Sequence, residues 1–336
     1  MTVLVTGASG FVGCTLVEEL ARAGRSVVAA DVSPPPAGFR AAVADLEGRV
    51  AFESADVTDP GRIASVIDAH AVSRVIHGAA ITADPTREAA EPGAIVRVNV
   101  EGTASVLRAC RDKGVERFVQ VSSSAAYGET VFSVDLLDEE AVGSDPRSMY
   151  DITKFAAERV ALRLGELFGI DVRVGRLSTV FGAWERVTGV NDFPSPMFLL
   201  VLAARRGETA ILPRPVVRDW IYSRDVAAGL IALLGMSAAD APRIFNIGPG
   251  PANRWSALEW GRKLEGRLDG FRCRLAGPGE AANIDLHQAR DRAPMAIERL
   301  QTYTDYRPHF TLDAAFEDFW DWYERCGASL LGLPHR

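Results

Sequence analysis

Gly7, Gly10 and Gly13 stand between a short β-branched run, Thr2 to Thr6, and an amphipathic stretch that opens at Phe11. Glycine at these places permits a tight turn, lets backbone N–H groups approach a pyrophosphate and lets a helix pack closely on a strand. The helix N-terminus then favours the anion. Phe11 and Val12, inside the turn, belong to the same candidate site. The spacing is GxxGxxG rather than GxGxxG, and a plain glycine turn fits the same letters, so its meaning depends on the chain downstream of it.

Downstream of the turn, short apolar runs alternate regularly with amphipathic stretches, the pattern of βαβ units. Strands are expected near Val3 to Thr6, Ser26 to Ala30, Val50 to Glu53, Arg74 to His77, Arg117 to Ser122 and Asp171 to Leu177, with helices starting near Phe11, Arg62, Ile95 and Tyr150. Pro34, Pro35 and Pro36 belong to a peripheral loop, because proline removes ladder donors. The expected fold is α/β, a Rossmann-type doubly wound parallel sheet with a smaller, mostly C-terminal substrate lobe. Beyond Gly182 the pattern loosens, then returns at Trp220 to Leu234 and at the apolar strand Ile244 to Ile247. The cofactor domain is therefore expected to comprise 1–180 plus 216–248, and the substrate lobe 181–215 plus 249–336.

A chain of 336 residues with 48% hydrophobic and 24% charged residues has material for a large core and a second lobe. A net charge of -7 without a Lys/Arg cluster gives no footprint for nucleic acid, so the expected partner is a small molecule. Cys14, Cys110, Cys273 and Cys326 form no CxxC pair and have no histidine at ligand spacing, which implies reduced thiols and no metal. Without a signal-peptide pattern or a membrane-length apolar run, the expected location is cytoplasmic.

Asp31 ends the second strand, where a carboxylate accepts from ribose hydroxyls and repels a 2′-phosphate, favouring NAD over NADP; a solvated loop carboxylate is the alternative. Asp56, with Val57 beside it, follows the third strand and is placed to accept from an adenine amino group. Helix capping before Pro60 is the competing role for Asp56 and Asp59. Ala79 and Ala80 follow the fourth strand and let backbone lie against a cofactor, whereas His77 reads as a packed histidine.

Tyr150 and Lys154 are four residues apart on an expected helix, so both side chains share a face. A neighbouring ammonium is expected to lower the phenol's pKa toward that of a useful base. Ser123, at the carboxyl end of the fifth strand, is placed to hold the reacting oxygen. Taken with Asn99 in Val98-Asn99-Val100 and the His77-Gly78-Ala79-Ala80 segment, these residues resemble the extended short-chain dehydrogenase/reductase superfamily, and within it the NAD-dependent epimerase/dehydratase family. The resemblance covers most of the chain.

The resemblance implies catalysis by Ser123, Tyr150 and Lys154 and a buried Asn99 supporting the site on the cofactor side. It implies a homodimer paired through the helices Ile95 to Asp112 and Tyr150 to Leu167, although those apolar stripes equally suit the protein's own sheet. Arg218 in Arg218-Asp219-Trp220 resembles an arginine that holds a nucleotide-sugar diphosphate; an ion pair with Asp219 or Asp225 is the alternative. Substrate candidates are Thr82, Ser124, Thr179, Trp184, Arg186, Asn191 and Arg218, with Trp184 offering an aromatic face to a sugar; Arg290 and Arg292 are further cations in the second lobe.

Two departures bear on substrate. Thr179 stands where the family's nucleotide-sugar enzymes usually carry Asn, and Ser124-Ala125 replace the Asp-Glu pair of its dehydratases, which disfavours a 4,6-dehydratase. The expected activity is NAD-dependent hydride transfer at a secondary alcohol, as in a nucleotide-sugar epimerase. The alternatives are a dehydrogenase of a free sugar, polyol or hydroxy acid and a non-catalytic NAD-sensing protein.

Overall fold

The computed structural model describes residues 1–237, 240–286 and 290–331, so the end of the expected second lobe, 332–336, lies outside the described residues. Strands β1 (Thr2–Thr6), β2 (Ser26–Asp31), β3 (Val50–Ser54), β4 (Val72–His77), β5 (Arg117–Ser123) and β6 (Asp171–Leu177) join the strand Ile244–Ile247 in one sheet. Its spatial order is Ile244–Ile247, β6, β5, β4, β1, β2, β3, and every pairing is parallel. The chain runs outward from β1 to β3, then returns to β4 on the other side of β1. That reversal opens a crevice beyond the carboxyl ends of β1 and β4, where the glycine turn leaves the sheet.

Both faces of the sheet are covered, which explains why its strands read as continuous apolar runs rather than alternating ones. Val3 and Val5 pack with Leu16, Val17 and Leu20 of the helix Phe11–Arg22, while Leu4 faces the opposite side with Ile63, Val106 and Leu107. The helix Pro60–Ala69 begins two residues before the expected Arg62. Asp59 is its cap, its carboxylate accepting from Arg62 N at 3.0 Å. The helix Met149–Phe168 starts in a capping box formed by Ser148 and Asp151 and ends at Gly169 in the left-handed region, φ 69°. Tyr150 therefore lies in the first turn of a well-anchored helix.

The second half adds short ribbons: Val180–Phe181 beside Ile221–Tyr222, Val217–Arg218 beside Trp255–Ser256, and Ala210–Leu212 beside Cys273–Leu275. An aromatic cluster binds them together, with Trp260 edge-on to Phe181 at 5.3 Å and to Phe316 at 5.0 Å. Among the described residues no helix is long and apolar enough to cross a membrane.

Candidate active site

The carboxyl ends of β1, β4, β5 and β6 open into a cavity of about 570 Å³, lined by the glycine turn on one side and by second-half residues on the other. Gly7 turns the chain at φ 69°, and a Cβ there would meet Ala79 N at 2.7 Å. At Gly13 a Cβ would strike Gly7 O at 2.1 Å, so this turn closes only with glycine. Gly7, Gly10, Phe11, Val12 and Gly13 all line the cavity, as Ala80 does. This cradle of backbone at a helix N-terminus suits a dinucleotide pyrophosphate.

Asp31 stands just behind the turn. Its two carboxylate oxygens accept from Ser9 N at 3.0 Å and Ser33 N at 2.9 Å, which fixes the group and leaves lone pairs for ribose hydroxyls. Asp56 is exposed and turns back to the amide and hydroxyl of Thr58, both at 2.8 Å. Val57 is buried against Gly102, and Ala79 packs on Gly7. None of Asp31, Asp56, Val57 and Ala79 lines the cavity itself. His77 is fully buried, bonded through Nδ1 to Thr6 Oγ1 at 2.7 Å, and burial pushes its pKa down to about 3: a neutral, packed imidazole.

Ser123, Tyr150 and Lys154 share the cavity wall. Ser123 Oγ caps the turn Ser124–Tyr127, accepting from Ala125 N at 3.1 Å, and Ser123 lines the cavity beside Tyr150. Lys154 donates to Val121 O at 2.5 Å, and burial lowers its pKa to about 8 against the pull of Glu158. The expected lowering of the phenol's pKa by Lys154 is not what this arrangement gives. The pKa of Tyr150 is raised, chiefly by burial; hydrogen bonds with Thr82 and Ser123 pull it down, and Asp151 pushes it up. The ammonium is directed to the β5 carbonyl, so loss of water around the ring outweighs it.

The support beneath is a buried polar network. Asn99, in a π-helical turn, accepts from Ile81 N at 2.7 Å and donates to Ile81 O and Thr153 Oγ1, both at 3.0 Å; it ties the loop after β4 to the tyrosine helix and does not line the cavity. Glu158, fully buried, pairs with Arg176 at 2.7 Å and accepts from Ser122 Oγ at 2.5 Å. Sequence reasoning missed this pair, though Tyr150, Lys154 and Glu158 fall on one helical stripe.

The far wall corrects several expectations. Trp184 is wholly buried, its ring 4.9 Å from Phe39 and 5.5 Å from Trp322 and its Nε1 donating to Glu18 Oε2 at 2.8 Å. It offers no face to a sugar: core packing claims the ring and holds its backbone in the left-handed region at φ 69°. Arg186 reaches away from the substrate side, donating to the carbonyl of Ser9 in the glycine turn. Thr82, Ser124, Thr179, Asn191 and Arg218 do line the cavity. Thr82 is stitched to the segment after Trp184, its N–H donating to Val190 O at 2.8 Å and its carbonyl accepting from Asp192 N at 3.0 Å. Arg87 pins that segment through Asp192 at 2.6 Å. Arg218 is 6% exposed and lies over Trp220, and burial pulls its pKa down to about 9. Asp225 is committed elsewhere, to the N–H groups of His309 and Phe310.

Three cavity groups had no place in the sequence reading or only a marginal one. Glu185 accepts from Ser195 N and Oγ, both at 2.7 Å, and burial lifts its pKa to about 7. Ser178 donates to Asp219 O at 2.7 Å. Arg292 spans Ser124 and Ser178, donating to both hydroxyls.

A glycine turn at the switch point of a parallel sheet, with serine, tyrosine and lysine on one cavity wall, defines an extended short-chain dehydrogenase/reductase. Within that class the chain belongs to the NAD dependent epimerase/dehydratase family, whose profile matches residues 3–248. It is 27% identical over 344 residues to a dTDP-glucose 4,6-dehydratase of Xanthomonas campestris, covering 96% of this chain and 93% of that protein. A UDP-glucose 4-epimerase of Lacticaseibacillus casei is 26% identical over 340 residues, covering 96% and 97%. Among solved structures, MoeE5 in complex with UDP-glucuronic acid and NAD matches with a TM-score of 0.74 at 27% identity, over 97% of this chain and 99% of that one.

Proposed function

We propose that this protein is an NAD-dependent enzyme that oxidises a secondary alcohol of a sugar-type substrate and reduces the resulting ketone, a nucleotide-sugar epimerase. The observation that carries the reading is the convergence of Ser123, Tyr150 and Lys154 on the cavity that the glycine turn lines. Residues 1–180 plus 216–248 serve the cofactor and lend Ser178 and Arg218 to the substrate wall, and 181–215 plus 249–336 serve the substrate.

The glycine turn and Asp31 hold the dinucleotide, and bound NAD supplies the acceptor for the hydride. Ser123 hydrogen-bonds the reacting oxygen. Tyr150 takes the hydroxyl proton as the C–H bond breaks and gives it back when the ketone is reduced. Lys154, one helical turn on, holds the end of β5 through Val121 and sets a positive charge beneath the site. If the ketone turns over before reduction, the product is the epimer; if it leaves, the same residues make a dehydrogenase. Elimination of water has no support, since Ser124 and Ala125 supply neither acid nor base.

Val96, Ile152 and Leu167 are 43%, 42% and 59% exposed on the two helices of the expected dimer contact, which supports a homodimer through them. Among the described residues Cys14, Cys110 and Cys273 form no disulfide, which suits a cytoplasmic setting.

The test is a panel of nucleotide sugars, free sugars, polyols and sugar acids, read by NADH absorbance and product chromatography together. Epimer without net NADH is expected. Stoichiometric NADH release would move the reading to dehydrogenase. Tyr150→Phe is expected to lower turnover about 1,000-fold, and intact turnover in that variant would remove the catalytic assignment.

A further inference from the structure

Arg292 enters the cavity from a segment fixed on its C-terminal side, where Ala293 N donates to Val131 O at 2.8 Å and Met295 N to Asp219 Oδ2 at 3.0 Å. Its Nη1 donates to Ser124 Oγ and its Nη2 to Ser178 Oγ at 3.0 Å, while Nε is buried without a hydrogen-bond partner. Both acceptors are neutral hydroxyls. Among the described residues the charge that favours this cation is that of Asp219, whose Oδ2 is turned to the Met295 amide. Arg218 lines the same cavity, and the two cations disfavour one another. A half-buried guanidinium whose hydrogen-bond partners are both neutral hydroxyls gains when an anion meets it.

The place of the charge limits the anion. Ser124 follows Ser123, so the hydroxyl gripped by Arg292 is one residue, roughly 3.8 Å between Cα atoms, from the one assigned to the reacting oxygen. Arg292 lines the cavity, and one hydrogen on each Nη nitrogen is left after these two bonds, a number of donors that suits a carboxylate. We propose that Arg292 anchors a carboxylate carried by the sugar itself, one or two carbons from the hydroxyl that is oxidised. This rests on the reading of Ser123 and Tyr150 given above. The chemistry is that of a sugar acid, supplied either as a nucleotide-linked uronic acid or as a free aldonic acid. A diphosphate, separated from the reacting carbon by the sugar ring, does not fit this place.

Two matched pairs separate the sources: UDP-glucuronate against UDP-glucose, and D-gluconate against D-glucitol. Wild-type protein with NAD is expected to prefer the acid of one pair by about 100-fold in kcat/KM. In Arg292→Gln that preference falls to near parity through KM, and Arg292→Lys restores part of it. An unchanged melting temperature and unchanged NAD binding in Arg292→Gln show that the variant is folded. Thermal shift with each probe in the presence of NAD reads binding without turnover: the acid is expected to stabilise wild-type protein and not the Gln variant. Equal handling of acid and neutral partners overturns the proposal. So does a uniform loss for both UDP-sugars with a parallel loss of inhibition by UDP, which assigns Arg292 to the diphosphate. Absence of hydride transfer from every probe sinks the proposed function instead, while the thermal shift still decides the carboxylate. Absence of stabilisation by both acids counts against the anchor.

Discussion

The two sides of the cavity are built differently. On the cofactor side, Gly7, Gly10 and Gly13 act through backbone, within one strand-turn-helix unit, and Asp31 is held by the neighbouring amides of Ser9 and Ser33. On the far side Ser178, Glu185, Arg218 and Arg292 come from separated segments and line the wall as side chains, with Glu185 and Arg218 buried and Arg292 half-buried. A backbone cradle tolerates little change of shape, whereas a wall of buried ionisable groups is set by its dielectric surroundings and by whichever partner neutralises it. The first kind suits a ligand of constant shape. The second suits a substrate that distinguishes one enzyme from another.

Three substitutions probe that contrast. Trp184→Ala is expected to destabilise the protein by about 3–5 kcal/mol, because the cavity it leaves lies between Phe39 and Trp322. Urea unfolding measures this, with KM for the sugar unaffected in the folded fraction. A variant that kept its stability but lost sugar affinity would return Trp184 to the substrate wall.

Glu185→Gln is expected to act through pH. The carboxyl titrates near 4.5 when unfolded and at about 7 in the fold. Between those values the folded chain keeps a proton that the unfolded chain has lost, so this group makes stability fall as pH rises. The Gln variant should be more stable than wild type by up to about 3 kcal/mol at pH 8, with the gain gone below pH 4.5. Denaturant midpoints across that range measure it, and a difference independent of pH would show that Glu185 is not buried as a neutral acid.

The smallest effect is expected on the cofactor side. Asp31→Ser should weaken NAD binding by about 2 kcal/mol, roughly 30-fold, and relax discrimination against NADP, read by titration with both dinucleotides. Unchanged NAD affinity would reduce Asp31 to a brace for the glycine turn.

The legible parts of the chain share a cause. Strand β1, the glycine turn and the helix at Phe11 announce themselves through period and residue type within about a dozen positions, and Tyr150 with Lys154 through a single helical turn. Even Asp59, with proline at the first helical position, shows its cap in the letters. Trp184 was misread because an aromatic residue in a Gly-rich stretch looks the same whether its ring meets solvent or Phe39 and Trp322. Glu158 and Arg176 lie on different elements, and nothing local signals that they are partners.

From sequence alone came the succession of strands and helices along the chain, the glycine turn that lines the cavity and the serine, tyrosine and lysine that share its wall, because each depends on near-neighbour geometry. Tertiary structure alone decided that Lys154 points to the Val121 carbonyl, that burial raises the Tyr150 phenol's pKa, and that Arg292 meets Ser124 from 168 positions away. Those outcomes depend on which distant groups share a site and how much water they exclude, and neither quantity is written in the spacing of residues along the chain.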